Sequence, residues 1–312
     1  MDNISATLST DYLRDWKNQN FYDGKSERLH LNLKSHLTPT GLHWLYIKEC
    51  EIKFSMNARV LGYNYPKGIC LDTLDQLHCI LKETGIELDP YFPEAAILKK
   101  VHIKNDNEIQ FNELMQELSI TGNTKKYNKV IRENSITYEC TNKTEKTSLR
   151  IYGKEQEIKN NRGKYNKIGV VPVQFKGITR TESHFNNSPS IRKHLKTKNL
   201  LEVLKMENVN YKLLQTILKG EPTIIEQPEL QQMNLTELKN FALTFLLNEM
   251  HNGNLNAIRK EIKSRLGSST KPSYQMNKIK KYLPMVKSPE GKELLSILKL
   301  MECLKENNQS LN

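Results

Sequence analysis

The chain has 312 residues, a formal net charge of +12, 26% charged residues and 37% hydrophobic residues, with a mean hydropathy of −0.63. That length can bury a core in one large or two modest domains, and the hydrophobic share exceeds that of a disordered chain. No apolar run approaches the roughly 18 residues of a membrane span and MDNISATLST has no charged-then-apolar leader pattern, so a soluble intracellular protein is expected. Its Lys-rich charge then seeks a phosphate backbone rather than a lipid surface.

Residues 1–28 are polar, with Trp16, Phe21 and Tyr22 as anchors, and loose structure is expected there. Leu29–Leu37 alternates with period two, which puts His30, Asn32, Lys34 and His36 on one face of a strand. That face is either solvated or, through His30, metal-ligating. Trp44–Ser55 alternates again and reads as one strand. Gly62, Asn64, Pro66 and Gly68 break up 59–68. Leu71, Leu74, Leu77 and Leu81 then recur at helical spacing. Ala95–Asp106 reads as the next strand, with His102 between Val101 and Ile103, and Phe111–Leu118 as a short helix.

Ser135–Cys140 and Thr147–Tyr152 flank a polar turn and read as a hairpin. A basic loop over 159–169 and strands over 170–176 and 177–185 follow. From Asn187 the pattern turns helical, over 190–218, 234–251 and 294–304, with helix starts at Asn234 and Ser288. Residues 187–312 carry 20 Lys and Arg against 12 Asp and Glu. The cysteines Cys50, Cys70, Cys79, Cys140 and Cys303 are scattered without a C-x-x-C pair, which argues against a zinc site or disulfide framework. The fold class expected is α+β: an antiparallel-sheet domain over 1–186, then a helical basic domain over 187–312.

The chemistry-bearing stretches are TSLRIYGKEQEI at 147–158 and GITRTESHF at 177–185. The first supplies Tyr152 between Arg150 and Lys154, followed by Glu155 and Glu157. The second supplies Arg180 and Glu182 on one strand face. Phosphoryl transfer to a side chain needs an oxygen nucleophile, cations over the phosphate and a carboxylate able to hold a metal. The same runs also suit two neighbouring strands of a half-buried sheet, with Tyr152 packed and Arg180 and Glu182 a surface pair.

The order R-I-Y-x-K-x-x-E, then a strand with R-x-E, resembles the rolling-circle replication initiators of phages and plasmids, especially the gene II/X family of filamentous phages. The segment FSMNARVLGYNYP at 54–66, followed by the helical run 71–84, is similar to that family's strand, G-x-N, helix block. The likeness spans roughly residues 40–186. It implies a nickase-like domain in which Tyr152 attacks a scissile phosphate and leaves a 5′-phosphotyrosyl link and a free 3′-OH. Lys154 stabilises the phenolate, Glu157 serves as base or structural residue, and Arg180 orients Glu182. A Mg²⁺ or Mn²⁺ is implied on Glu182 with His102 or Asp106. His102 stands where the family's R-x-D strand has its aspartate, and a histidine satisfied by other contacts is the alternative there. Tyr165 is the second candidate nucleophile, exposed and with no adjacent carboxylate.

Arg150, Arg162, Lys164, Arg259, Lys260, Lys263, Arg265, Lys280 and Lys281 are the expected DNA contacts. The implied partners are single-stranded or hairpin origin DNA, a host helicase and polymerase, and a second copy of the chain in a homodimer, in the cytoplasm of a bacterial host. Two other readings stand beside this one. The first is a phage or plasmid regulator that binds DNA without cutting it, and the second is a basic scaffold for RNA or an acidic partner.

Overall fold

The computed structural model describes residues 1–16, 21–23, 28–31, 40–120, 126–218, 234–251, 255–265, 275–279, 282 and 295–306. Expected contacts Lys280 and Lys281, the side chain of Arg265, the second half of the strand 29–37 and the helix start at Ser288 lie outside the described residues. The chain is mixed α/β. Its centre is an antiparallel sheet of ten strands in the order β3-β4-β5-β6-β1-β8-β12-β11-β10-β9. These are β1 (Asn3–Ser9), β3 (Phe21–Asp23), β4 (Leu29–Leu31), β5 (Leu42–Lys48), β6 (Glu51–Asn57), β8 (Ile97–Glu108), β9 (Tyr127–Arg132), β10 (Ser135–Cys140), β11 (Thr147–Gly153) and β12 (Ile178–Phe185). A separate pair is formed by β2 (Leu13–Trp16) and β7 (Ile86–Leu88), and α1 (Leu74–Glu83), α2 (Phe92–Ala95) and α3 (Phe111–Ile120) precede β9 in the chain.

The first residues correct the expectation of loose structure. β1 is a central strand, paired with β6 on one side and β8 on the other. Its Ile4, Ala6 and Leu8 are buried and alternate with Asn3, Ser5 and Thr7. An apolar set of three in a polar stretch is a short period-two signal, and pairing on both edges is what makes it a strand. The expected single strand 44–55 is two strands, β5 and β6, with Lys48 opposite Glu51. Glu49 turns the chain at φ 52°. No Gly, Asn or Pro marks that turn, so the alternation reads straight through it.

Lys154 does not continue β11 as expected. Gly153 caps a helix, α4 (Lys154–Asn160), with Glu155 and Glu157 in its first turn, where carboxylates favour the positive end of the helix. The expected loop 159–169 holds a second short helix, α5 (Arg162–Asn166), and the expected strand 170–176 is a 3-10 turn, Pro172–Phe175. The segment 58–67 is two 3-10 turns with a kink between them at Gly62 (φ 58°), one of the expected breaks.

Two compact units divide the chain. The first, Met1–Phe111 with Thr124–Ile217 and Leu300–Asn312, contains the whole ten-stranded sheet. The expected boundary after residue 186 lies inside it, because the helices α6 (Ser188–Leu195), α7 (Leu200–Leu204) and α8 (Val209–Leu218) begin there. Asn187 caps α6, its Oδ1 accepting from Ser190 N at 3.1 Å. Phe185 of β12 packs against His194 of α6. From α8, the buried Asn210 accepts from Ser183 N at 3.0 Å and donates to Asn105 Oδ1 at 2.6 Å, which ties β8 to β12. The second unit, Asn112–Asn123 with Leu218–Lys299, is helical. Leu247, Ile258, Ile262, Met276 and Ile279 form its core cluster. Glu117 caps the helix Leu295–Glu306 by accepting from Ser296 N and Ile297 N.

Candidate active site

Strand alternation puts Arg180, Glu182 and His184 of β12 on one sheet face. In register beside them are Asp106, Lys104 and His102 of β8 on one side, and Tyr152, Arg150 and Ser148 of β11 on the other. Tyr65 comes from the segment 58–67, and Lys154, Glu157 and Tyr165 come from α4 and α5. Of these, Tyr65, Arg150, Tyr152, Lys154, Glu157, Tyr165 and Glu182 line, together with Asp2, Asn57, Arg59, Lys164 and others, a polar cleft of about 180 Å³. Drug-sized ligand sites run to roughly 300–1,000 Å³, so this cleft suits a small polar group such as a phosphate.

Arg180 is the hub. It is 0% exposed, and a buried guanidinium persists only when paired. Its Nε and Nη2 donate to both oxygens of Asp106, at 2.5 and 2.6 Å, a fork-on-carboxylate pair. Nη1 donates to Tyr65 OH at 2.7 Å and to Asp2 Oδ1 at 3.1 Å. Glu182 Oε1 is 3.9 Å away. Arg180 was expected to orient Glu182; its directional bonds go to Asp106, Asp2 and Tyr65, and it meets Glu182 through this longer ion pair. Burial raises the Asp106 carboxyl, but Arg180 and Lys104 outweigh it and draw its pKa down to about 2. Lys104 donates to Pro66 O at 2.5 Å; its pKa falls to about 8, first through burial and then through Arg180.

Tyr152 is 3% exposed and donates to Glu182 Oε1 at 2.6 Å. The other oxygen, Oε2, lies 3.0 Å from His184 Nε2. Phenol, carboxylate and a histidine that orients the carboxylate thus stand in sequence, an arrangement in which an acceptor can activate a hydroxyl. Burial raises the Glu182 pKa, yet the His184 bond, Arg180 and the Tyr152 bond bring it below the usual carboxylate range. The phenol moves the opposite way to expectation. Burial and the adjacent Glu182 push it well above 10, and Arg180 offsets only part of that. In the resting site the proton sits on Tyr152.

A second pair shares the cleft. Tyr165 OH donates to Glu157 Oε2 at 2.9 Å, and Lys154 Nζ donates to Tyr165 OH at 3.0 Å and to Glu157 at 2.7 Å. Tyr165 was expected to be exposed and without a carboxylate; it is 6% exposed and has Glu157, because α4 and α5 fold residues 157 and 165 together. Burial and Glu157 raise its phenol. Lys154, itself buried, also lies over the Tyr152 ring at 5.7 Å, and burial with Arg180 lowers its pKa. Above Tyr152 the Arg150 guanidinium stands 4.5 Å from the ring centroid.

The expected metal set does not present a common group of donor atoms. Both oxygens of Asp106 are held by Arg180, and those of Glu182 by Tyr152 and His184. His102 stacks on His184, with centroids 3.9 Å apart, and bonds to Asn186 at 3.1 Å. Burial and His184 lower its pKa to about 3. Among the described residues no three His, Cys, Asp or Glu side chains form a metal-ligating group. As these residues stand they do not fit a metal ion, and no step below is routed through one.

Of the expected DNA contacts, Arg150 and Lys164 line the cleft and Arg162 is exposed on α5. Arg259, Lys260 and Lys263 are exposed in the second unit on the helix Leu255–Arg265, whose Ile258 and Ile262 are buried. Sequence reasoning did not single out Asp2, Tyr65, Lys104 or His184. The last two were within reach, since each lies two residues along the same strand face from a residue already named. Among the described residues no helix is long and apolar enough to cross a membrane. No protein-family model and no curated protein matches the chain.

Proposed function

We propose that this protein nicks and rejoins single-stranded or hairpin DNA through a covalent tyrosine intermediate, as do the rolling-circle replication initiators it resembles. The observation that carries the reading is the hydrogen bond from Tyr152 to Glu182, backed by His184, in a cleft lined by Arg59, Arg150, Lys154 and Lys164. The cations draw in a phosphodiester and neutralise the charge that grows on its non-bridging oxygens. Tyr152 Oη attacks phosphorus and its proton passes to Glu182. The bond from phosphorus to the 3′-oxygen breaks, and that oxygen takes a proton from Lys154, whose lowered pKa suits a donor. The 5′-phosphate remains on Tyr152 and the strand ends in a free 3′-OH. Reversal by a 3′-OH reseals the strand without ATP, because the phosphodiester energy is kept in the tyrosyl ester.

A second reading is supported by the raised phenols of Tyr152 and Tyr165: the same cleft binds a DNA phosphate without cutting. Incubation with circular single-stranded and hairpin DNA, with and without Mn²⁺, followed by a denaturing gel, separates the two. A protein–DNA adduct that disappears in Tyr152→Phe supports nicking. Salt-sensitive binding without an adduct supports the regulator.

A further inference from the structure

The polar sheet face does not end at the cleft. From His102 and Lys100 of β8 it continues through Asn3 and Ser5 of β1, then Asn57, Ser55 and Lys53 of β6, and reaches Trp44 and Tyr46 of β5. The Ser5 to Ser55 hydroxyl bond, 2.7 Å, fixes the shared face. The opposite face of the same strands buries Ile4, Ala6, Leu8, Ile52, Phe54 and Met56. A sheet of this size normally leaves one face to solvent or a partner; on this one the short side chains of Ser5, Ser55 and Asn57 are buried, Lys53, Lys100 and Tyr46 are half-buried, and Trp44 is exposed. Trp44 is 38% exposed and stacks on Tyr46 with centroids 5.4 Å apart. His30 lies 5.4 Å from Tyr46, and the Arg28 guanidinium stands 4.9 Å over its ring.

A polar path connects these rings to the cleft. Arg59, in the cleft lining, donates from Nε to Asn57 Oδ1 at 3.2 Å. Asn57 Nδ2 lies 3.0 Å from His43 Nε2, and His43 immediately precedes Trp44. Burial lowers the pKa of His43, and Arg59 and Lys100 lower it further, so it adds no charge of its own beside them. At each end of the face an arginine Nε is buried with no hydrogen-bond acceptor among the described residues, Arg28 over Tyr46 and Arg150 over Tyr152. From β5 to β12 is four strand spacings, about 19 Å at roughly 4.8 Å each, a length for a few nucleotides.

We infer that this face is a track for single-stranded DNA, with bases stacking on Trp44 and Tyr46 and phosphates held by Arg28, Lys100 and Arg59 on the way to the cleft. Rings that accept any base, interleaved with cations along a backbone path, are how single strands are bound without sequence preference. A duplex keeps its bases stacked internally and cannot use such rings. That the strand is led to Tyr152 rests on the nicking reading; that it is bound here does not.

The test uses full-length protein carrying Tyr152→Phe, so that only non-covalent binding is read, and a fluorescently labelled oligo(dT) strand in an anisotropy titration. Trp44→Ala is expected to weaken binding by roughly five- to a hundredfold, the range of one lost base stack, with Trp44→Phe recovering most of it. In a Trp16→Phe background the oligonucleotide is expected to quench Trp44 emission, while a duplex of equal length does neither. Because Trp44 is partly exposed, its truncation leaves folding intact, which circular dichroism checks. Affinity unchanged in both Trp44→Ala and Tyr46→Ala, or no binding of oligo(dT) at all, overturns the track. An adduct lost in Tyr152→Phe alongside indifference to Trp44 sinks the track and leaves nicking standing. Binding that depends on Trp44 with no adduct from the native protein does the reverse.

Discussion

Tyr152 is registered directly opposite Arg180, yet its hydroxyl reaches diagonally to Glu182, the residue registered opposite Arg150. Cross-strand diagonals span about 7–8 Å, within reach of a long aromatic side chain. The diagonal leaves Arg180 to Asp106 and frees Arg150 to lie over the Tyr152 ring. One tyrosine is thereby supplied with a proton acceptor on one side and a cation on the other.

Glu182→Gln keeps the shape of that acceptor and removes its basicity. General-base groups contribute roughly 10²- to 10⁴-fold, so adduct formation is expected to slow by that factor. Binding of uncleaved DNA, followed by anisotropy, is expected to hold or tighten because a negative charge has left the cleft.

Arg180 makes the strongest stability prediction. Arg180→Met leaves the half-buried Asp106 without its fork; breaking a fully buried pair from one side costs about 3–5 kcal/mol, and the loss here is expected at the lower end of that range. Arg180→Lys recovers only part of this, since an ammonium cannot fill two parallel bonds. Urea unfolding monitored by circular dichroism reads both; a loss under about 1 kcal/mol in Arg180→Met contradicts the hub role.

The pairing of Asp106 has a pH signature. Its carboxyl titrates at about 2 in the fold against about 3.9 in an unfolded chain. The folded state therefore binds fewer protons over that interval, and the stabilisation, complete above about pH 4, is lost as pH falls through 2. His102 acts in a higher window. With a pKa of about 3 in the fold and about 6.5 unfolded, stability declines as pH drops from 6.5 toward 3. Thermal melts across pH 3–7 are expected to fall for the native chain and to flatten in His102→Asn.

Much of the cleft could be read from the residues, and the reason is periodicity. Tyr152, Arg180, Glu182 and Asp106 lie on strands whose alternation fixes their face, and neighbouring strands brought them together. The parts that were not legible depend on turns and on tertiary pairing. Lys154 reads as strand because nothing before it announces a cap except Gly153. Tyr165 gains Glu157 only because two short helices fold back on each other. Strand β1, and with it Asp2, is hidden in a polar stretch that becomes a strand only when β6 and β8 flank it. The Glu49–Cys50 turn lacks every usual turn residue, so β5 and β6 read as one.

Asn210 tests the link between α8 and the sheet. Its side chain satisfies the Ser183 amide and donates to Thr181 O, Ile103 O and Asn105. Asn210→Ala strands those groups and is expected to cost about 1–3 kcal/mol. Faster hydrogen exchange at Ser183 is expected with it; unchanged exchange there would remove Asn210 as the tie between β8 and β12.

The most direct measurement of the central claim is the identity of the DNA-linked residue. Native protein would be incubated with single-stranded DNA, digested with protease and nuclease, and the nucleotide-bearing peptide sequenced by mass spectrometry. The account predicts one modified peptide, carrying a 5′-phosphoryl nucleotide on Tyr152 and lost in both Tyr152→Phe and Glu182→Gln. A nucleotide on Tyr165, or an adduct that persists in Tyr152→Phe, would contradict it.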